Sequence, residues 1–585
     1  MRSQTGRKPV EFIIVIGLAR IHSFMSEHPM TSTADIIVIN ARILTLDPNH
    51  SRAQAVALGD GRIIAVGTNE EIKAHRGPAT RLIDAHDRTV LPGFSENHMH
   101  LFSGAAELDH LQLKGVTGLA ALTEAIGDYA QGRQTQKVLF AQGVDYNILG
   151  ETEPLTRKHL DAILPNQPLV LFAPDHHTAW ANTVALELVG ILHGADLRPG
   201  NEVVLGADGL ATGELREMEA FSPLQAAGGF DRYRLGLSTG GEPEPYPDAA
   251  QWAQDIAVMR TGLAYCARHG ITTVQNMDGN LYQLQLLAAI EKEDGHLPCR
   301  VQIPFHFKNF MSLDMLKKAS DMAASYKSDW LSSGLVKLFY DGVIESGTAV
   351  MVEPYADKPG DRGEGLFTPE AFRAVAVEAD RRGLQIAVHA IGDGAVRAVL
   401  DGYAAAREEN GARDSRHRIE HIEVVHPDDI NRFAELGVIA SMQPPHPPGC
   451  AGLPLEPTIS RIGKDRWPVS YAWRTLKDAG AHICFASDWP VSPIDPLVGL
   501  KAAVTRRRWS DSDPDQSFSL SEALAAYCVE GAYAEFKEDR KGMIRQGYLA
   551  DLVILDSDIE AIDPDDLDTV KPVTTICGGY ISFSD

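Results

Sequence analysis

Two histidines one residue apart, His98 and His100, are the first feature of this 585-residue sequence that could do chemistry. In an extended segment, residues two apart point to the same side. Both imidazoles would then face one cation. Such a pair arises by chance in many chains, so its company decides. His389 follows an apolar run at 384–388, His421 follows 418–420, Asp488 follows 482–486, and Lys337 sits inside 335–339. Each lies at or near the C-terminal end of a run that reads as a strand, where βα barrels build their sites. Four histidines and one carboxylate form a donor set suited to Zn²⁺, as one or two ions, with other divalent metals also accommodated.

More polar residues end such runs. Asp278, Asp341, Gln443 and His446 could line a pocket for a small-molecule substrate, or could cap the helix or turn that follows. Trp489, beside Asp488, could form an aromatic wall or simply pack. Lys337 reads as a buried amine that needs a partner. An ion pair with Asp341 or Glu345 would supply one.

The elements that must position these residues alternate between strand and helix. Eight candidate strands, at 89–91, 271–274, 300–303, 335–339, 384–388, 418–420, 438–441 and 482–486, predict an α/β fold, a TIM (β/α)₈ barrel over 92–534. More than 150 residues separate the first two candidates, far beyond one loop. This insertion, about 105–260, leaves from the top of the first strand and should cover the barrel mouth as a lid or wall. Short β-branched runs near both termini predict a small β-sandwich built from 31–91 together with 535–585. Residues 1–30 read as a disordered extension, with a start further along at Met25 or Met30 as one explanation.

Composition narrows the function. A net charge of −25 argues against nucleic acid, which requires a concentrated basic surface. The short run Arg506-Arg507-Arg508 reads as a solvated helix face. No apolar stretch is long enough to span a bilayer, so no membrane partner is expected. Six scattered cysteines fit neither a disulfide framework nor a cysteine zinc site, and suggest cytoplasmic thiols.

Pro92-Gly93-Phe94-Ser95-Glu96-Asn97-His98-Met99-His100 resembles the Pro-Gly-Phe-x-Asp-x-His-x-His signature of the amidohydrolase superfamily. The segments Val336-Lys337-Leu338-Phe339-Tyr340-Asp341-Gly342, Val388-His389-Ala390-Ile391-Gly392-Asp393-Gly394-Ala395, Ile419-Glu420-His421, Ser487-Asp488-Trp489-Pro490 and Gly547-Tyr548-Leu549-Ala550-Asp551-Leu552 are similar to its amidohydrolase-3, YtcJ-like branch, which includes N-substituted formamide deformylases. The likeness runs in order through nearly the whole chain after residue 34. It implies that His98, His100, His389 and His421 ligate metal, that Lys337 is a carbamylated bridge between two ions, and that Asp488 is the acid/base acting on metal-activated water. His177, in a segment that resembles one near the family's site, would stabilise the developing oxyanion, or else pack between domains. Glu96 departs from the signature's Asp and is expected to anchor the strand end.

The expected reaction is hydrolysis of a C–N bond in a linear N-acyl or N-formyl amide. Opening of a cyclic amide, deamination of a heterocycle and a non-catalytic binding role are the alternatives, since fold alone does not choose. Many members of the family form homodimers, and the same is possible for this chain.

Overall fold

A computed structural model of the chain describes residues 33–150, 153–173, 178–197 and 201–585. The reading of 1–30, and the His177 assignment, lie outside these residues. Parallel strands follow one another along the chain: β1 (Phe94–Met99), β2 (Ile271–Asn276), β3 (Arg300–Gln302, resumed at Phe305–His306), β4 (Leu335–Phe339), β5 (Gln385–Ala390), β6 (Arg418–His421), β7 (Ile439–Met442) and β8 (Ile483–Phe485). The first half of β3 pairs with β2 and the second half with β4. Pro304 stands at the break, where a missing N–H cannot serve the ladder. From β4 to β8 each strand is hydrogen-bonded to the next. The two ends of the series meet: the Asn97 amide donates to the Phe485 carbonyl at 2.7 Å, and the Asp488 N–H to the His98 carbonyl at 2.8 Å.

The expected first barrel strand at 89–91 is corrected. Thr89–Pro92 pairs instead with Arg42–Leu44 and, antiparallel, with Leu552–Leu555. The chain passes from this sheet into β1 at Gly93, where any Cβ would collide with the Thr272 side chain. The apolar run was real, but Gly93 divides it between two sheets.

The chain-end strands form two sheets. One carries Ala34–Ile39, Ala55–Gly59, Arg62–Gly67 and Arg76–Asp84, and the other includes Arg42–Leu44, Thr89–Pro92, Leu552–Leu555 and Pro572–Cys577. Val38, Val56 and Leu58 of the first pack with Ile43, Val90, Leu552, Ile554 and Ile576 of the second in one apolar cluster. Alternation along each strand puts these residues on the same face. A buried ion pair ties this unit to β3, with Arg300 donating to both Asp551 oxygens at 2.8 and 2.9 Å.

Between β1 and β2 the long intervening segment builds its own six-stranded sheet, running from Glu202–Leu205 at one edge to Leu111–Gln112 at the other. Its apolar side rests on Leu122, Ile126, Leu160 and neighbours. The helix Asp231–Ser238 then returns to the strand ends. Arg506-Arg507-Arg508 is not a solvated helix face: the helix Pro496–Val504 ends before it, and the buried Arg506 lies over the Trp509 ring at 4.9 Å. All six cysteines are free. Among the described residues, no helix is long and apolar enough to cross a membrane.

Candidate metal centre

β1 delivers His98 at its penultimate position, and His100 follows the strand directly. His98 Nδ1 lies 2.7 Å from Glu420 Oε2, and Arg418 donates to the two oxygens of Glu420 at 2.8 and 3.0 Å. A carboxylate only accepts, so Nδ1 carries the proton and Nε2 presents a lone pair. That Nε2 is 3.3 Å from Asp488 Oδ1, and His100 Nε2 is 3.2 Å from the same oxygen. Asp488 Oδ1 is buried and makes no hydrogen bond. An unsatisfied carboxylate oxygen between two imidazole nitrogens is costly in a protein interior, and a divalent cation held by His98, His100 and Asp488 would resolve it. These residues fit such an ion.

The charges of these groups compensate one another. Burial opposes ionisation of Asp488, but His98 and His100 outweigh it and hold the carboxyl well below its usual range. Burial also disfavours the His100 cation, yet Asp278 and Asp488 together raise that imidazole to about 9.

A second donor group shares Asp488. His421 and His446 also come within ligand distance of one another and of this carboxylate. Gln443 is placed beside His421, its amide oxygen 2.9 Å from Nδ1, which leaves Nε2 free. His446 stands 3.7 Å from Glu423 and 4.0 Å from Asp488 Oδ2. His389 packs with its ring centroid 4.5 Å from that of His421, and its Nε2 donates to the Gly342 carbonyl at 3.1 Å. Two of these residues leave strand geometry abruptly. His421 has φ +78° and Asp488 φ +60°, left-handed conformations that cost energy for non-glycine residues and cluster at functional sites.

Lys337 is fully buried and its Nζ has no hydrogen-bond partner, so the alternative ion pairs with Asp341 and Glu345 are not formed. Burial lowers its amine to about 8 against the pull of Glu420 and Asp488. Asp341 instead accepts from the backbone of Val350, Ile391 and Gly392 at 2.9–3.0 Å, fastening the loops after β4 and β5. Asp278 backs His100, with 3.8 Å between Oδ1 and Nδ1. Trp489 is buried against Gly104 and Tyr265, and its carbonyl takes the His100 N–H at 2.8 Å. Glu96 accepts from the Ser487 N–H at 2.9 Å and the His98 N–H at 3.3 Å, so it joins β1 to the loop that carries Asp488. Burial pushes its carboxyl up to about 8.

Comparison with known proteins follows the same lines. Residues 81–583 match the family model described as "Amidohydrolase family". The chain belongs to the amidohydrolase family. This amidohydrolase falls in the amidohydrolase-3, YtcJ-like branch. It is 30% identical to Protein LONG AFTER FAR-RED 3 of Arabidopsis thaliana, across 90% of this chain and 88% of that one. It is 28% identical to the putative amidohydrolase YtcJ of Bacillus subtilis, across 92% and 98%. It is 26% identical to the N-substituted formamide deformylase of Arthrobacter pascens, across 95% and 99%. Among solved structures, an uncharacterized metal-dependent hydrolase from Pyrococcus horikoshii superposes with a TM-score of 0.69 at 23% identity, covering 91% of this chain and 98% of that one.

Three residues of this amidohydrolase's site escaped sequence reasoning. Glu420 and Glu423 flank His421, and only the fold shows them behind His98 and His446. Arg418 and Glu420, two apart in the strand Arg418–His421, were a usable signal for an inward-facing pair. His306 lay hidden because β3 reads as ending at Ile303. It is fully buried, and burial holds its imidazole well below the usual range.

Proposed function

We propose that this amidohydrolase cleaves the C–N bond of a linear N-acyl or N-formyl amide, in a site at the C-terminal ends of a closed (β/α)₈ barrel clamped by a β-sandwich made from both chain ends. The observation that carries the reading is the convergence of His98, His100 and the unsatisfied Asp488 oxygen on one buried point. The extended likeness to an enzyme named for cleaving N-substituted formamides supports the linear amide over other C–N substrates. In this reading His98, His100 and Asp488 would hold one Zn²⁺. His389, His421 and a carbamylated Lys337 would hold a second, with His446 beside them. Bound Zn²⁺ supplies polarisation of the carbonyl and activation of water at neutral pH.

The chain's own groups then do the following. Asp488 would accept the proton of the attacking water and return it to the leaving nitrogen. Glu420 and Gln443 hold the rings of His98 and His421 in one tautomer and orientation. Glu96 and Asp341 keep the strand-end loops in register. His177 remains the proposed oxyanion donor.

Incubating the zinc-loaded protein with N-formyl amines, N-acyl amines, cyclic amides and aminated heterocycles tests this. Free amine and carboxylic acid in equal amounts are expected. Ammonia alone, or ring-opened acid alone, would overturn the linear-amide reading.

A further inference from the structure

Beyond the metal-facing residues, one buried side chain at the strand ends has an unsatisfied nitrogen and a defined tautomer. His306 pairs with Lys337 in the parallel register of β3 and β4. Registered neighbours in a parallel sheet point to the same face, so His306 shares the side that carries Lys337. Its ring stacks on Phe339 at 5.4 Å and 19°, and Phe339 stacks on His389 at 4.6 Å and 28°. The imidazole is thus held in plane beside the candidate centre, yet it does not belong to either donor group there.

The helix Asp231–Ser238 sets its proton. The last carbonyls of a helix have no partner within it. The Thr239 and Gly240 N–H groups both turn back to the Leu235 carbonyl, so those of Gly236 and Leu237 are left for side chains of β3 and its loop. Gly236 accepts from His306 Nδ1 at 2.8 Å, and Leu237 accepts from Lys308 Nζ at 2.5 Å. A carbonyl only accepts, so Nδ1 carries a proton, and a ring with a single proton has none on Nε2. Nε2 is then a bare lone pair, fully buried and without a partner. Leaving such an acceptor empty costs about 1–3 kcal/mol. The helix is locked in place by close packing, since any Cβ on Gly236 would stand 2.9 Å from the Gly279 nitrogen in the loop after β2.

We propose that His306 is a substrate-binding residue whose Nε2 accepts a hydrogen bond from the N–H of a secondary amide, selecting such substrates over N-alkylated tertiary amides. The inserted segment, through the Gly236 carbonyl, makes that selection by fixing the tautomer. The proposal rests on the amide reading above, from which the N–H donor follows.

Two measurements test it on the full-length, zinc-loaded protein. The first is ¹⁵N NMR of histidine-labelled protein, with His306 assigned by its absence in His306→Phe. A protonated Nδ1 and an unprotonated Nε2 are expected, and a proton on Nε2 overturns the proposal. The second compares kcat/KM on matched secondary amides and their N-methyl derivatives. Wild type should favour the secondary amide by roughly 10-fold or more, because a buried acceptor left unpaired penalises the analogue. His306→Phe should bring that ratio toward one with unchanged metal content, and His306→Gln, which retains an acceptor, should restore part of it. An equal loss on both substrates, or a ratio unaffected by either variant, overturns the proposal. If no amide of either kind is turned over, the amide reading falls and the proposed donor with it, whereas a protonated Nε2 removes His306 alone.

Discussion

Glu420 Oε2 sits 2.7 Å from His98 Nδ1, and this contact orients the imidazole so that Nε2 faces Asp488. Glu420 is itself fully buried and neutralised by Arg418. Glu420→Gln should therefore weaken metal binding by roughly 10–100-fold, the usual effect of losing such an outer partner. It also leaves the Arg418 charge uncompensated, which for a buried pair costs about 3–5 kcal/mol. Chelator competition and the thermal midpoint check the two effects separately, and an unchanged metal affinity would remove Glu420 from the site.

Asp488→Asn should retain the fold while kcat falls by roughly 10²–10⁴-fold, the typical contribution of a positioned acid/base. Metal analysis alongside steady-state kinetics distinguishes loss of proton transfer from loss of the ion. Turnover at the wild-type rate would exclude Asp488 from the reaction.

Lys337 Nζ is buried over the Phe339 ring at 4.7 Å and has no hydrogen-bond partner, and the proposed carbamate at this position can be tested by counting ions. About two divalent ions per chain are expected in protein prepared with bicarbonate and metal, falling to about one in Lys337→Ala. Elemental analysis of both proteins, supported by intact mass under non-denaturing conditions, reads this directly. One ion in each, with Lys337→Ala still active, would mean a mononuclear site.

Acid stability offers a test away from the site. Asp380 is buried, an environment that by itself raises a carboxyl. Hydrogen bonds from His417 and Asn410, with the charges of His417 and Arg413, outweigh burial and lower it to about 2. A folded pKa below the unfolded one contributes stability above the unfolded value, near pH 4, and loses it as pH falls toward 2. The shift corresponds to about 2 kcal/mol. Asp380→Asn should lower the thermal midpoint at pH 7, and the gap to wild type should narrow between pH 4 and pH 2. A gap independent of pH would show that packing, and not charge, carries the effect.

Much of the architecture could be read before any coordinates. The strands at 335–339, 384–388, 438–441 and 482–486 are short, largely apolar and bounded by turns, and these and 418–420 are found within a residue or two of their expected places. Buried parallel strands must be continuously apolar, and that is a local signal. The strand at 89–91 failed because apolarity does not say which sheet a strand joins. Its partner, Leu552–Leu555, lies more than four hundred residues away.

The sequence by itself determined which residues of this protein bring donor atoms to the strand ends: His98, His100, Lys337, His389, His421 and Asp488. Residue type and strand position are properties of the chain, and they suffice to propose a ligand set. Tertiary structure alone decided which nitrogen of each imidazole is presented. That choice depends on hydrogen-bond partners from other elements, Glu420 for His98, Gln443 for His421 and the Gly236 carbonyl for His306. A ring's free lone pair is set by whatever binds its other nitrogen, and for these three rings that partner comes from another element of the fold.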